Sequence, residues 1–142
     1  MSSPLKYPSF DIRLKKSGEQ HLVFDPVRKS WCILNPEEWV RQHILHFLIH
    51  VKKYPASGIA VEKQIQLNGQ LKRFDILVYR QVQPLILIEC KAPYITLDNS
   101  VVEQALRYNL VLKAEFVMVS NGISDAVFRG NQRIEGLPDF PA

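Results

Sequence analysis

The chain has 142 residues, of which 46% are hydrophobic and 23% charged, enough apolar material for one core and too much for a disordered segment. Its formal charge of +4 suits a polyanionic partner without requiring one. No apolar run approaches the ~20 residues that span a bilayer, no secretory h-region lies between Met1 and Lys16, and Cys32 and Cys90 lack metal-ligand spacing, so the reading is a reduced, cytoplasmic protein with no membrane partner.

In chain order, residues 1–19 mix prolines, serines and charge and read as a loose, flexible arm. Residues 21–25 and 30–34 read as two short strands around the Asp25-Pro26 turn. Asn35 is a good N-cap, Pro36 suits the first helical position, and Glu38 completes a capping box. The helix is expected to reach about residue 53, with Val40, Ile44, Phe47, Leu48 and Val51 as its core stripe. His43, His46 and His50 share one sector of it. Three imidazoles can hold zinc, but no HExxH pattern accompanies them and they read as a polar flank. Residues 59–67 and 71–79 form a hairpin around Asn68-Gly69, and a third strand follows at 85–91. A second helix over 99–113 is capped by Thr96 or Asp98. Residues 115–120 read as a buried strand, Asn121-Gly122 as a turn, 125–131 as an edge strand, and 136–142 as an irregular tail. The order predicts an α/β domain over residues 20–135: a mixed sheet of four to five strands, two main helices and a short N-terminal hairpin.

The chemistry concentrates between Arg73 and Lys91, where Asp75, Glu89 and Lys91 interrupt otherwise apolar strands. With the turn centred on Val82, Asp75 lies across from Glu89. Side chains alternate faces, so Glu89 and Lys91 point one way and Cys90 the other. Two carboxylates suit Mg²⁺ or Mn²⁺, because magnesium takes one or two protein carboxylates and leaves its other positions to water and phosphate. Lys91 supplies a positive partner for a phosphodiester under attack. The plainer alternative is an ion pair between Lys91 and one carboxylate.

Asp75, thirteen residues, then Glu89-Cys90-Lys91 resembles the motif of the PD-(D/E)XK nuclease superfamily, with Phe74 where proline often stands. The ordered series 36–42, Lys72-Arg73-Phe74-Asp75-Ile76, Ile88-Glu89-Cys90-Lys91-Ala92-Pro93, 104–109 and Ser120-Asn121-Gly122 resembles more closely the N-terminal nuclease domain of type I restriction enzyme R subunits, in a short stand-alone bacterial form. The resemblance covers roughly residues 20–135. It implies a restriction-endonuclease-like core and a Mg²⁺- or Mn²⁺-dependent DNA endonuclease. Asp75, Glu89 and the backbone carbonyl of Cys90 would hold the metal, and Lys91 would orient the attacking water. Glu37 and Glu38 compete as an accessory acid. A helical wheel puts Glu37 on the flank of the core stripe and Glu38 away from it, and Glu37 precedes Arg41 in the Glu-x-x-x-Arg spacing of the resembled family, so Glu37 is preferred. Gln104 and Tyr108 resemble the Gln-x-x-x-Tyr element that lines the site in RecB-like nucleases. Lys72 and Arg73, beside Lys63, are candidate phosphate contacts. DNA is the implied partner, with helicase, methylase or specificity subunits and a second copy of the chain as further candidates. The alternative function is a non-catalytic nucleic-acid or protein interaction module of the same fold.

Overall fold

The computed structural model describes residues 5–141. Strands β1 (Leu14–Ser17), β2 (Gln20–Asp25) and β3 (Ser30–Ile33) make an antiparallel sheet of three. Helix α1 (Pro36–His46) continues through a π-helical turn over Phe47–Val51. Then come β4 (Ile59–Leu67), β5 (Gln70–Arg80), β6 (Gln83–Cys90), α2 (Asn99–Leu112), β7 (Phe116–Ser120), β8 (Asp125–Arg129) and β9 (Gln132–Ile134). These strands form one sheet in the order β4-β5-β6-β7-β8-β9, parallel only between β6 and β7, where α2 supplies the crossover.

The α/β class holds, and the sheet is larger than expected. Gly130, at φ +62°, turns the predicted edge strand back on itself, so residues 125–134 are a hairpin and the sheet has six strands rather than four to five. The N-terminal hairpin likewise gains β1. Of residues 5–19, expected as a loose arm, 5–12 pack on the domain and 14–17 form an exposed edge strand. Tyr7 is buried and its hydroxyl donates to Asp125 Oδ1 at 2.9 Å, while Lys6 N donates to the Gly122 carbonyl at 2.8 Å. Phe10 covers His46 and His50 at centroid distances of 5.6 and 6.1 Å, so the expected polar flank is in large part an aromatic contact. Burial lowers the His43 and His46 pKa values, which keeps both rings neutral near pH 7. The tail is also anchored, through buried Leu137 and a hydrogen bond from the Tyr54 hydroxyl to the Pro138 carbonyl.

The capping box is half present. Asn35 Oδ1 accepts from Glu38 N at 2.7 Å, but the Glu38 carboxylate turns inward to Arg41 and Gln42. For α2, Asp98 is the N-cap and Lys113 closes the helix in the left-handed region at φ +63°.

Each face of the six-stranded sheet carries its own core. Val40 and Ile44 of α1 and Leu48 of the π-helical turn pack on Ile76, Val78, Ile86, Ile88, Cys90 and Met118. On the other face α2 packs through Ala105 and Leu106 against Phe74, Leu77, Leu87, Val117 and Val119. In a regular β5, Phe74 and Ile76 would share a face; here they are in different cores. On β4 the same thing happens between Val61, in the α1 core, and Ile65, in the α2 core. The strand pairing is unchanged across the break, Val61↔Ile76 on one side and Lys63↔Phe74 on the other. Between these pairs lie Glu62, in the left-handed region at φ +52°, and Asp75. The pleat therefore slips by one face in both strands at a single cross-strand position, and that position carries Asp75.

Gly122 is a close approach between arm and domain. It sits at φ +86°, and a Cβ there would come within 2.8 Å of Leu5 Cδ2 and 3.0 Å of Val40 Cγ2. Gly122→Ala combines a left-handed backbone with overpacking and is expected to cost about 2–4 kcal/mol in denaturant unfolding.

Candidate active site

The β5–β6 hairpin is tighter than its polar sequence suggests, with only Gln81 and Val82 in the turn and Arg80 paired to Gln83. A bulge then leaves Leu85 without an opposite residue and resets the inner pairs to Val78↔Ile86, Leu77↔Leu87 and Ile76↔Ile88. This is the register of a turn centred on Val82, so the next position sets Asp75 opposite Glu89. There the ladder gives way to side chains: Asp75 Oδ2, not a carbonyl, accepts from Cys90 N at 2.8 Å. The Glu89 carboxyl lies against the Asp75 carboxyl and backbone N–H, both of which act on its titration. Its Oε1 is buried without a partner among the described residues.

Burial, followed by the Asp75 charge, pushes the Glu89 carboxyl far above the usual range, up to about 9. Two adjacent carboxylates cannot both ionise cheaply, so in the metal-free protein Glu89 holds the proton. Cys90 points to the α1 core as expected, and burial pushes its thiol up, leaving it inert. Lys91 shares a cleft of about 70 Å³ with Glu89, Val101, Gln104, Ala105 and Tyr108. It makes no ion pair within 4.0 Å among the described residues, although its charge reaches Glu89 and Glu37. Gln104 Nε2 donates to the Tyr108 hydroxyl at 3.1 Å, so this pair lines the α2 side of the carboxylates.

On the α1 side a second cleft, about 360 Å³, brings Glu37 and Asp75 together with Arg28, Arg41, Glu62 and Arg73. Glu38 is the buried acid and Glu37 the exposed one, the reverse of the helical-wheel expectation. Arg41 explains the reversal by drawing Glu38 inward, Nε to Oε2 at 3.0 Å and Nη2 to Oε1 at 2.7 Å, while its Nη1 reaches Asp75 Oδ1 at 2.7 Å. Burial raises the Glu38 pKa, but the bonds from Arg41 and Gln42 outweigh it and leave Glu38 ionised. Glu37 is raised by burial and by Asp75, against the pull of Arg41 and Lys91. Glu37 is thus the acid free to face the site.

The two basic candidates separate. Arg73 lines the α1-side cleft, 3.5 Å from Glu62 Oε2. Lys72 lies on the α2 side, 5.2 Å from the Tyr108 ring centre. Sequence reasoning missed Glu62 and Arg28. Arg28 links Asp25, Glu62 and Glu38 at 2.8, 2.9 and 3.4 Å, and nothing local in the chain pairs residues so far apart. A larger concavity, about 450 Å³ between the 93–99 loop and the β7–β8 turn, contains none of these charged candidates.

The family model for the type I restriction enzyme R protein N terminus matches residues 36–141. The chain belongs to this family. The matched span runs from the first helical residue through the tail, and so includes every site residue expected from the sequence of this R-protein N-terminal domain, though not Arg28. Among solved structures it resembles a fragment described as an HsdR subunit of a type I restriction enzyme from Vibrio vulnificus YJ016, with a TM-score of 0.58 and 19% identity. That match covers 75% of this chain and 24% of the other, so the chain spans about a quarter of that fragment's length and the likeness is one of fold. No curated protein matches the sequence.

Two expectations follow for the R-protein domain. Because Glu89 titrates higher folded than unfolded, its contribution to stability is complete below about pH 4.5 and is lost as pH rises toward about 9. Without divalent metal, Glu89→Gln should melt close to wild type near pH 4.5 and increasingly above it toward pH 9; parallel pH curves would show that Glu89 is not held protonated. The two helix acids should also differ. Glu38→Ala strands the buried Arg41 and should cost about 3–5 kcal/mol, whereas Glu37→Ala, at an exposed position, should stay within about 0.5 kcal/mol in the same unfolding titrations.

Proposed function

We propose that this R-protein N-terminal domain is a divalent-metal-dependent DNA endonuclease of the PD-(D/E)XK type. The observation that carries the reading is the Asp75–Glu89 carboxyl pair, whose buried Glu89 Oε1 lacks a partner, sharing a cleft with Lys91. A buried polar atom with no partner is costly and needs a proton or a cation. No set of three His, Cys, Asp or Glu side chains converges as a metal cage among the described residues. The donor chemistry is that of magnesium or manganese, which accept two carboxylates and complete their shells with water and substrate phosphate. Asp75, Glu89 and the Cys90 carbonyl would hold the ion, which supplies Lewis acidity toward a phosphate oxygen.

The chain's own groups do the rest. The Lys91 ammonium donates to the attacking water and orients it for in-line displacement, and it offsets charge gathering on the phosphate oxygens. Glu37 is the accessory acid at the α1-side mouth. The Gln104–Tyr108 pair closes the α2 side and limits how water and substrate enter. Lys72 and Arg73, one on each side, are phosphate contacts that position DNA without reading its sequence. Within a type I system, methylase and specificity subunits and a helicase segment are the expected partners, and self-association of the domain is a further one.

A second reading, an interaction module with an idle site, has one observation in its favour. Arg41 and Cys90 N already occupy the two Asp75 oxygens. Cleavage separates the two. With Mg²⁺ or Mn²⁺ the wild type should nick or linearise plasmid DNA, and Lys91→Ala should lose that activity while its DNA affinity changes by less than about tenfold. Plasmid left intact with either metal, by folded protein, would favour the idle module.

A further inference from the structure

The three-stranded N-terminal sheet precedes the span matched by the family model and takes no part in the site chemistry described above, apart from residues at its rim. Its inner face is settled: Val23 and Asp25 are fully buried. Its outer face is unusual. Phe24 and Trp31 pair across β2 and β3 with their rings edge-on at 5.3 Å. The Arg13 guanidinium lies 4.5 Å from the Phe24 centre and 5.4 Å from Trp31, and the Lys15 ammonium lies 4.3 Å from Trp31. Exposed Lys29 adds a third cation in the β2–β3 turn. Among the described residues, none of the three forms an ion pair. Elsewhere among these residues some exposed cations are paired, Arg73 with Glu62, Arg129 with Glu115 and Lys6 with Asp125, and others, such as Lys63 and Arg107, are not; what sets this face apart is two cations against one aromatic pair. Here aromatic rings hold Arg13 and Lys15 in place and leave their charge uncompensated, with Lys29 adding exposed charge in the neighbouring turn.

We propose that this outer face is a DNA-backbone contact surface that extends the DNA path of the candidate active site. The continuity is structural, because Cys32 and Ile33 of β3 form part of the wall of the same cleft as Glu37 and Asp75. Cations fixed in place and lacking carboxylate partners match a row of phosphates, and binding them costs less ordering entropy than binding free lysines. Trp31 has cations against its ring and is not a free stacking platform, so the contact is to phosphate rather than to unstacked bases. The choice of DNA among polyanions rests on the function proposed above; the surface itself does not depend on cleavage.

The test uses the whole chain with EDTA present, so that nothing is cut. Binding of a labelled duplex of about 20 base pairs is followed by fluorescence anisotropy over a range of NaCl concentrations. The triple variant Arg13→Gln/Lys15→Gln/Lys29→Gln changes exposed side chains only and should melt like wild type. It should bind at least about tenfold more weakly, and the slope of log K against log salt should shrink by up to about 2.7, or 0.9 for each lost phosphate contact. In a Trp39→Phe background, whose sole tryptophan is Trp31, adding duplex should change the emission. Affinity within twofold of wild type with an unchanged slope would overturn the proposal. So would silent Trp31 emission, or binding to phosphatidylserine vesicles that the triple variant loses while the wild type ignores DNA. Wild type that binds through this face but never cuts would retain this surface and remove the nuclease reading; cleaving protein whose binding ignores the three charges would do the opposite.

Discussion

Arg41 ties α1 to β4 and β5 by charge as well as by the apolar core they share. Its side chain is only 8% exposed, yet it carries a full charge that no pH in the working range can remove. Such a group is tolerable only when its donors are all matched. The fork to both Glu38 oxygens and the third bond to Asp75 provide that match, and Glu62 lies 3.5 Å away. Arg28 repeats the arrangement one layer out, tying the N-terminal sheet through Asp25 to Glu38 and to β4. Helix, sheet and N-terminal hairpin are therefore locked into one relative position by charges that would be prohibitively costly unpaired. That position fixes where Asp75 can be.

The pleat slip at Glu62 and Asp75 is the other half of this construction. A regular strand would present Asp75 to one face of the sheet, remote from the groups on the other. Where the pleat turns over, Asp75 can accept from Arg41 on the α1 side and still contact Glu89, whose neighbours Gln104 and Tyr108 come from α2. The left-handed backbone at Glu62 is disfavoured by about 1–2 kcal/mol for an L-residue with a side chain, and the guanidinium groups on both of its oxygens offset that. Strain of this kind gathers where function needs an irregular geometry.

The charge on the molecule is divided in a way its small net value conceals. Within the α1-side cleft, acids and arginines alternate and neutralise each other. On the outer N-terminal sheet, cations stand on aromatic rings without carboxylates. A polyanion approaching the cleft would meet the second surface as a steering field and the first as a fitted site, and salt would screen the steering more than the fit.

Much of the domain was legible in the chain because the signals are local. The Asn35-Pro36 start of α1, the Asn68-Gly69 hairpin and the buried run of β7 each depend on a few neighbouring residues and form as read, and of the two caps read for α2, Thr96 or Asp98, it is Asp98 that forms. The opposition of Asp75 and Glu89 was also legible, since a hairpin centre sets its register; the bulge that corrects the tighter turn was not. Three things were decided only by tertiary structure. The apolar positions 59, 61, 65 and 67 keep one parity, interrupted only by Lys63, so the pattern of β4 does not show that Glu62 divides them between two cores. Residues 5–10 look loose by composition, and they are ordered by surfaces that exist only after α1, β7 and β8 have assembled. Which of Glu37 and Glu38 turns inward depends on Arg41 finding Asp75, 34 residues away. Periodicity describes one element against an ideal partner; the site is built where elements depart from that ideal, and only their packing decides where.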